Sequence, residues 1–109
     1  MNRTSEAVFT TLTPDFEQLK ENGIQASQLL KSLANPDRLM LLCQLVQGEA
    51  CVSELETLTG ITQPSLSQQL GILRDKGLVT TRREGRLIYY SIDSDDALAV
   101  MQVLYEQFC

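Results

Sequence analysis

The sequence predicts a mainly α, α+β fold of five helices and a two-stranded β-hairpin. Three observations carry that prediction. Apolar residues recur at helical spacing in segments bounded by Asn, Ser, Thr, Pro and Gly. The stretch 78–92 switches to short β-prone runs around Glu84-Gly85. The chain has 109 residues and is 43% hydrophobic, enough for one domain with a single core.

Residues 1–12 read as a flexible N-terminus and 13–109 as one domain. The first helix is expected to start near Thr13-Pro14-Asp15, with a hydroxyl cap, proline in the first turn and early acids. A break or kink is expected near Asn22-Gly23, after which the helix resumes with Leu29, Leu30 and Leu33 as anchors. Asn35-Pro36-Asp37 stops that helix and opens the second, with Asn as N-cap and Pro at the first helical position. Leu39, Leu42, Cys43 and Val46 then form one expected buried stripe, and Gly48 ends it.

Ser53-Glu54-Leu55-Glu56 fits a capping box for a short third helix closed by Gly60. Thr62 is positioned to cap the fourth helix, whose inward stripe is Leu66, Leu70 and Leu73, with Gly77 as terminator. Strands are expected at 78–83 and 86–92 around a Glu84-Gly85 turn. Asp93 or Ser94 caps the last helix, with Leu98, Met101, Tyr105 and Phe108 inward and Cys109 continuing that line at i+4 from Tyr105.

No apolar run approaches the roughly 18 residues that span a bilayer, and the N-terminus lacks a long apolar signal core. A cytoplasmic location is expected, where three cysteines are free thiols, metal ligands or sensors rather than structural disulfides. The net charge of −5 argues at first against nucleic acid, but its distribution does not. Residues 60–92 carry Arg74, Lys76, Arg82, Arg83 and Arg86 against Asp75 and Glu84, a local +3 on an otherwise acidic body.

The third and fourth helices, joined through Gly60-Ile61-Thr62, read as a helix-turn-helix whose second helix presents its first turns to base edges. With the leucines inward, the outward residues near its start are Gln63, Pro64, Ser65, Ser67 and Gln68. Gln68 has the donor and acceptor for a bidentate pair with adenine, and serines suit several bases. Gly71 on the same side lets a backbone approach closely. Arg82, Arg83 and Arg86 surround the hairpin tip, a wing suited to phosphates or the minor groove. These residues alone also fit ordinary solvent-facing positions of a small α+β domain.

The segments LANPDRLMLL, VSELE and TQPSLSQQLGILRDKGLV, with the REGR hairpin tip and the aromatic strand after it, closely resemble the ArsR family of bacterial winged-helix repressors. The match covers roughly residues 28–92. It implies a winged helix-turn-helix homodimer packed through its first and last helices. It also implies a palindromic double-stranded operator, and an inducer that acts on the dimer to release it.

Members of the family differ in their inducer. Its arsenic and heavy-metal sensors carry ELCVCDL at the third helix; here the run is Glu49-Ala50-Cys51-Val52-Ser53-Glu54-Leu55, with the second cysteine replaced by serine. A hydroxyl is a poor substitute for a thiolate toward soft metals. Sensors of zinc, nickel or cobalt use histidines and carboxylates on the last helix, and this chain has no histidine. No metal site and no cofactor are expected. Cys43 within LLCQLVQGE and Cys109 within LYEQFC resemble instead the dithiol of the persulfide-sensing branch, the SqrR and BigR group. That resemblance implies two sensing thiols that sulfane sulfur joins by a polysulfide bridge, and control of sulfide and persulfide detoxification genes. Thiols held slightly too far apart for a strain-free disulfide would favour such a bridge.

The residues themselves leave other readings open. Cys43 lies on an apolar stripe, where cysteine serves as a small hydrophobe. Cys109 sits at a helix C-terminus, which disfavours its thiolate. Cys51 has no assigned role. A metalloid or general thiol-oxidant sensor of the same fold is the alternative. An enzyme is not expected: no CxxC, histidine base or Gly-rich phosphate loop is present.

Overall fold

The computed structural model describes residues 15–109. The segment 1–12 expected to be flexible, with Thr13 and Pro14, lies outside the described residues. The elements are α1 (Phe16–Leu33), α2 (Pro36–Val46), β1 (Ala50–Cys51), α3 (Val52–Thr59), α4 (Ser65–Asp75), β2 (Val79–Glu84), β3 (Leu87–Ile92) and α5 (Asp95–Phe108). Contacts along the chain divide it into two compact units, 1–31 and 32–109.

In the first unit the Asp15 carboxylate accepts the Gln18 N–H at 2.8 Å and so caps α1. The helix does not break at Asn22-Gly23, and α1 is continuous to Leu33. One interior glycine costs about 1 kcal/mol relative to alanine, which a long helix tolerates, and Gln18 donates to Asn22 Oδ1 at 3.0 Å across that turn. Phe16, Leu19 and Ile24 are exposed, and so is Leu30, which the sequence suggested as an anchor. Leu33, at the start of the second unit, is buried.

The second unit is built around α2, which packs against α3, α4, α5 and β3. Asn35 Oδ1 accepts the Arg38 N–H at 3.0 Å and Pro36 opens the helix, as the sequence indicates. Because neighbours cover α2 from several sides, its fully buried face turns to Leu41, Leu42 and Leu45. Leu39, Cys43 and Val46 of the expected stripe are half-buried.

The sheet has three strands, in the order β1-β3-β2, all antiparallel. β1 was not anticipated, because two residues carry no periodicity. Ala50 pairs with Tyr90 and Cys51 with Tyr89, so the chain passes directly from strand into α3. The helix therefore starts earlier than the expected Ser53 cap: Cys51 takes the N-cap position and Glu54 Oε1 accepts its N–H at 2.9 Å. In the hairpin, Glu84 pairs with Leu87, so the turn is Gly85-Arg86 rather than Glu84-Gly85. Gly85 has φ 63°, the positive φ that a two-residue type II′ turn requires at its first position.

Leu66, Leu70 and Leu73 of α4 are almost wholly buried, as their spacing predicts. After Gly77 the Leu78 N–H reaches back to Leu73 O at 2.9 Å, a Schellman-type end. Ser94 Oγ accepts the Ala97 N–H at 3.1 Å and caps α5. Ala97 and Met101 are fully buried against the packing with α2 and β3. Phe108, expected inward, is 83% exposed, because the cover ends before the last turn.

Candidate nucleic-acid interface and paired thiols

Two sites emerge from this frame, one local in sequence and one assembled across it. The first is the α3-turn-α4 unit. Thr59 Oγ1 donates to Leu55 O at 2.6 Å and accepts the Ile61 N–H at 3.2 Å. This fixes the turn, and Ile61 plugs the core at 8% exposure. The α4 entry is capped by Gln63, whose Oε1 accepts the Ser67 N–H at 3.0 Å, and not by the Thr62 hydroxyl. Gln63 thus commits its oxygen to the helix start. Pro64, Ser67 and Gln68 are exposed and Ser65 is half-buried. A Cβ at Gly71 would meet nothing within 4 Å, so the fold itself does not demand glycine there.

Sequence reasoning missed what orients α4. Arg38, in the first turn of α2, donates through Nη1 to Gln69 Oε1 at 3.0 Å and through Nε to Ser32 O at 2.6 Å. Gln69 is thereby directed at the body while its neighbour Gln68 faces out. The only sequence signal was that arginine follows the Asn-Pro-Asp cap, and its partner lies 31 residues away.

The wing arginines differ from one another. Arg86 occupies the turn and is exposed. Arg83 donates through Nε to Gly85 O at 3.0 Å and is exposed. Arg82 is held by two carboxylates. Its Nε lies 2.8 Å from Glu49 Oε2, its Nη2 also bonds Glu49, and its Nη1 is 3.3 Å from Glu84 Oε1. The guanidinium also lies 4.6 Å from the centre of the Tyr89 ring. These hydrogen bonds hold the Glu49 carboxyl below its ordinary range and raise the Arg82 pKa further.

The second site joins the ends of two helices. Cys43 on α2 and Cys109 after α5 lie near enough for Cys109 to act on the Cys43 thiol. Cys43 is half-buried and Cys109 exposed. The Cys109 N–H bonds Tyr105 O at 2.9 Å, which continues the helical spacing to the last residue. Burial first, then the charge of Cys109 and the hydrogen bond to it, push the Cys43 thiol above its usual range.

Cys51 has other company. Its Sγ lies 3.3 Å from Ser53 Oγ. Both line an open cleft of about 320 Å³ with Glu56 and Arg86. Among the described residues, no group of three or more His, Cys, Asp or Glu side chains is arranged to hold a metal ion.

Comparison with known proteins follows the same lines. The pattern of bacterial regulatory proteins of the arsR family matches residues 35–81. The chain is similar to the biofilm growth-associated repressor of Agrobacterium fabrum, with 48% identity over 91 residues, covering 84% of this chain and 78% of that protein. The crystal structure of the transcriptional repressor BigR from Xylella fastidiosa superposes with a TM-score of 0.78 at 46% identity, over 85% of this chain and 95% of that one. The homodimeric winged helix-turn-helix DNA-binding domain of a possible ArsR-family regulator from Mycobacterium bovis, solved by NMR, gives a TM-score of 0.69 at 32% identity. That match covers 88% of this chain and 87% of the domain.

Proposed function

The chain belongs to the arsR family of bacterial regulatory proteins and is similar to BigR repressors, and from that premise we propose that it is a cytoplasmic, homodimeric, dithiol-controlled transcriptional repressor. In the reduced state it binds a palindromic operator. Sulfane sulfur then joins Cys43 to Cys109 and releases it, inducing genes of sulfide and persulfide detoxification. The observation that carries the sensing half is the proximity of Cys109 to the Cys43 thiol, 66 residues apart in sequence, through which Cys109 raises the Cys43 pKa.

DNA binding rests on the exposed amide and hydroxyl groups of Ser67 and Gln68, with Ser65 at the same helix start, above a stripe of buried leucines. Gln63 supports this face as a cap and presents its amide nitrogen. Arg83 and Arg86 supply exposed cations at the wing tip, and Arg82 contributes to the wing. The related domain solved as a homodimer supports two-fold assembly. Exposed Phe16, Leu19, Ile24 and Leu30 on α1, and Val103 and Phe108 on α5, supply apolar surface for it.

The sensing steps balance with a persulfide, RSSH, as the oxidant. The exposed Cys109 thiolate attacks the outer sulfur of RSSH, forming Cys109–S–SH and releasing RS⁻. That persulfide attacks the R-bearing sulfur of a second RSSH, forming Cys109–S–S–S–R and releasing hydrosulfide. Cys43 thiolate attacks the central sulfur and expels RS⁻, leaving a bridge with one inserted sulfur. Two thiols and two RSSH thus give the bridge, two RSH and one hydrogen sulfide.

Intact-mass analysis after a persulfide donor tests this reading. The expected product carries at least one extra sulfur between Cys43 and Cys109, with loss of operator binding. A plain disulfide as the sole product would support the alternative, a general thiol-oxidant sensor. Full release in a Cys109→Ser variant would refute both.

A further inference from the structure

The three arginines of the wing do not have one job. Tyr89 on β3 pairs with Cys51 on β1 and with Arg82 on β2, so these residues form a single row across the sheet. β1 pairs with β3 only through Ala50–Tyr90 and Cys51–Tyr89. Beyond that row, toward the turn, no third strand lies beside the hairpin among the described residues. Arg82 therefore stands on the line where the wing leaves the sheet. From there its side chain reaches over the Tyr89 ring to Glu49, which immediately precedes β1. Glu84, two residues along the same face of β2, holds the other side of the guanidinium. With two carboxylates around it, Arg82 offers the phosphate backbone no net positive charge.

We propose that Glu49 and Arg82 form a latch that fixes the angle at which the wing leaves the sheet. Arg82 is then a positioning residue for DNA binding, while Arg83 and Arg86 make the phosphate contacts. The inference rests on the DNA-binding reading above. Two residue pairs of backbone ladder hold the wing weakly, and a bidentate arginine–carboxylate pair adds a directional clamp that lysine would not reproduce.

The test uses the full chain and a duplex that the wild-type protein selects from a random-sequence pool. Affinity is measured over a range of salt for Glu49→Gln, Arg82→Gln, the double variant, Arg83→Gln and Arg86→Gln. Both latch side chains are substantially exposed, at 39% for Glu49 and 49% for Arg82, so the variants are expected to fold. The latch predicts that Glu49→Gln and Arg82→Gln each weaken binding about threefold to tenfold, with a wild-type salt slope. The double variant is no worse than Arg82→Gln, because Arg82→Gln already removes the interaction with Glu49. Arg83→Gln and Arg86→Gln instead each flatten the slope by about 0.9. Amide exchange at residues 83–88 rises in Glu49→Gln.

Tighter binding by Glu49→Gln, or a flatter slope for Arg82→Gln, would overturn the proposal and make Arg82 a phosphate contact for which Glu49 competes. Wild-type affinity in Glu49→Gln alongside wild-type DNA binding would overturn the latch alone. If the wild-type protein selects no duplex, the DNA-binding reading fails as well.

Discussion

The reading helix and the thiol pair are built in opposite ways. The α4 unit is specified by neighbours in sequence: leucines at i, i+4 and i+7, a cap from Gln63, and a glycine that ends the helix. The thiol pair has no local specification. Cys43 and Cys109 come near one another only because α2 and α5 pack. A locally encoded surface can change its recognition residue by residue without disturbing the rest. A site assembled by packing reports on the packing, which suits a sensor.

The sharpest way to break this contrast is to remove one thiol. Cys43→Ser and Cys109→Ser are each expected to abolish donor-induced release while the reduced proteins bind DNA as the wild type does. Gel-shift titration with and without donor reads both. Next in size is the scaffold beneath the reading face. Leu70→Ala, at a site 1% exposed, is expected to cost about 2–5 kcal/mol of stability in thermal or denaturant unfolding. Ser67→Ala, one turn away on the outside, should leave stability nearly unchanged. Gln68→Ala is expected to cost about 1–3 kcal/mol of specific affinity with an unaltered salt slope; a uniform loss across all sequences would assign Gln68 to the backbone instead.

A smaller effect sharpens the thiol side. A raised pKa keeps Cys43 protonated at neutral pH, so its thiolate fraction, and its alkylation rate measured by peptide mass, should rise about tenfold per pH unit below that pKa. Cys109→Ser removes the two lesser causes of the shift and leaves burial, so alkylation of Cys43 at a fixed pH should quicken. No change would mean that the pair does not interact in solution.

Legibility in the sequence followed the same division. The helix-turn-helix, the Asn35-Pro36 restart, the leucine stripe of α4 and the Ser94 cap were readable because each depends on residues within a turn or two. β1 was not, since two residues have no period. The role of Gln69 was hidden because periodicity assigns a face but not a partner, and its partner Arg38 lies on another helix. Arg82 looked like its neighbours in the wing until Glu49, 33 residues earlier, came beside it. The Cys43–Cys109 relation was suggested by family resemblance alone, and both local environments argued against reactive thiols. The apolar spacing of Phe108 and Leu30 points both inward, yet both are exposed. Spacing does not say whether the cover is the chain itself or another molecule.

The central position of α2 carries a mechanical consequence. Cys43 and Arg38 lie five residues apart on this helix, a rise of about 7.5 Å along a stiff rod. Cys43 on this helix lies near Cys109, and Arg38 is bonded to α4 through Gln69. Its sides are wedged among α3, α4, α5 and β3, and a protein interior packed to crystal-like density has little slack to absorb a shift. A rod in that position behaves as an axle: torque applied at one end turns what is fastened to the other. If sulfur bridges Cys43 and Cys109 as proposed, no dedicated relay of side chains would be needed to disturb α4.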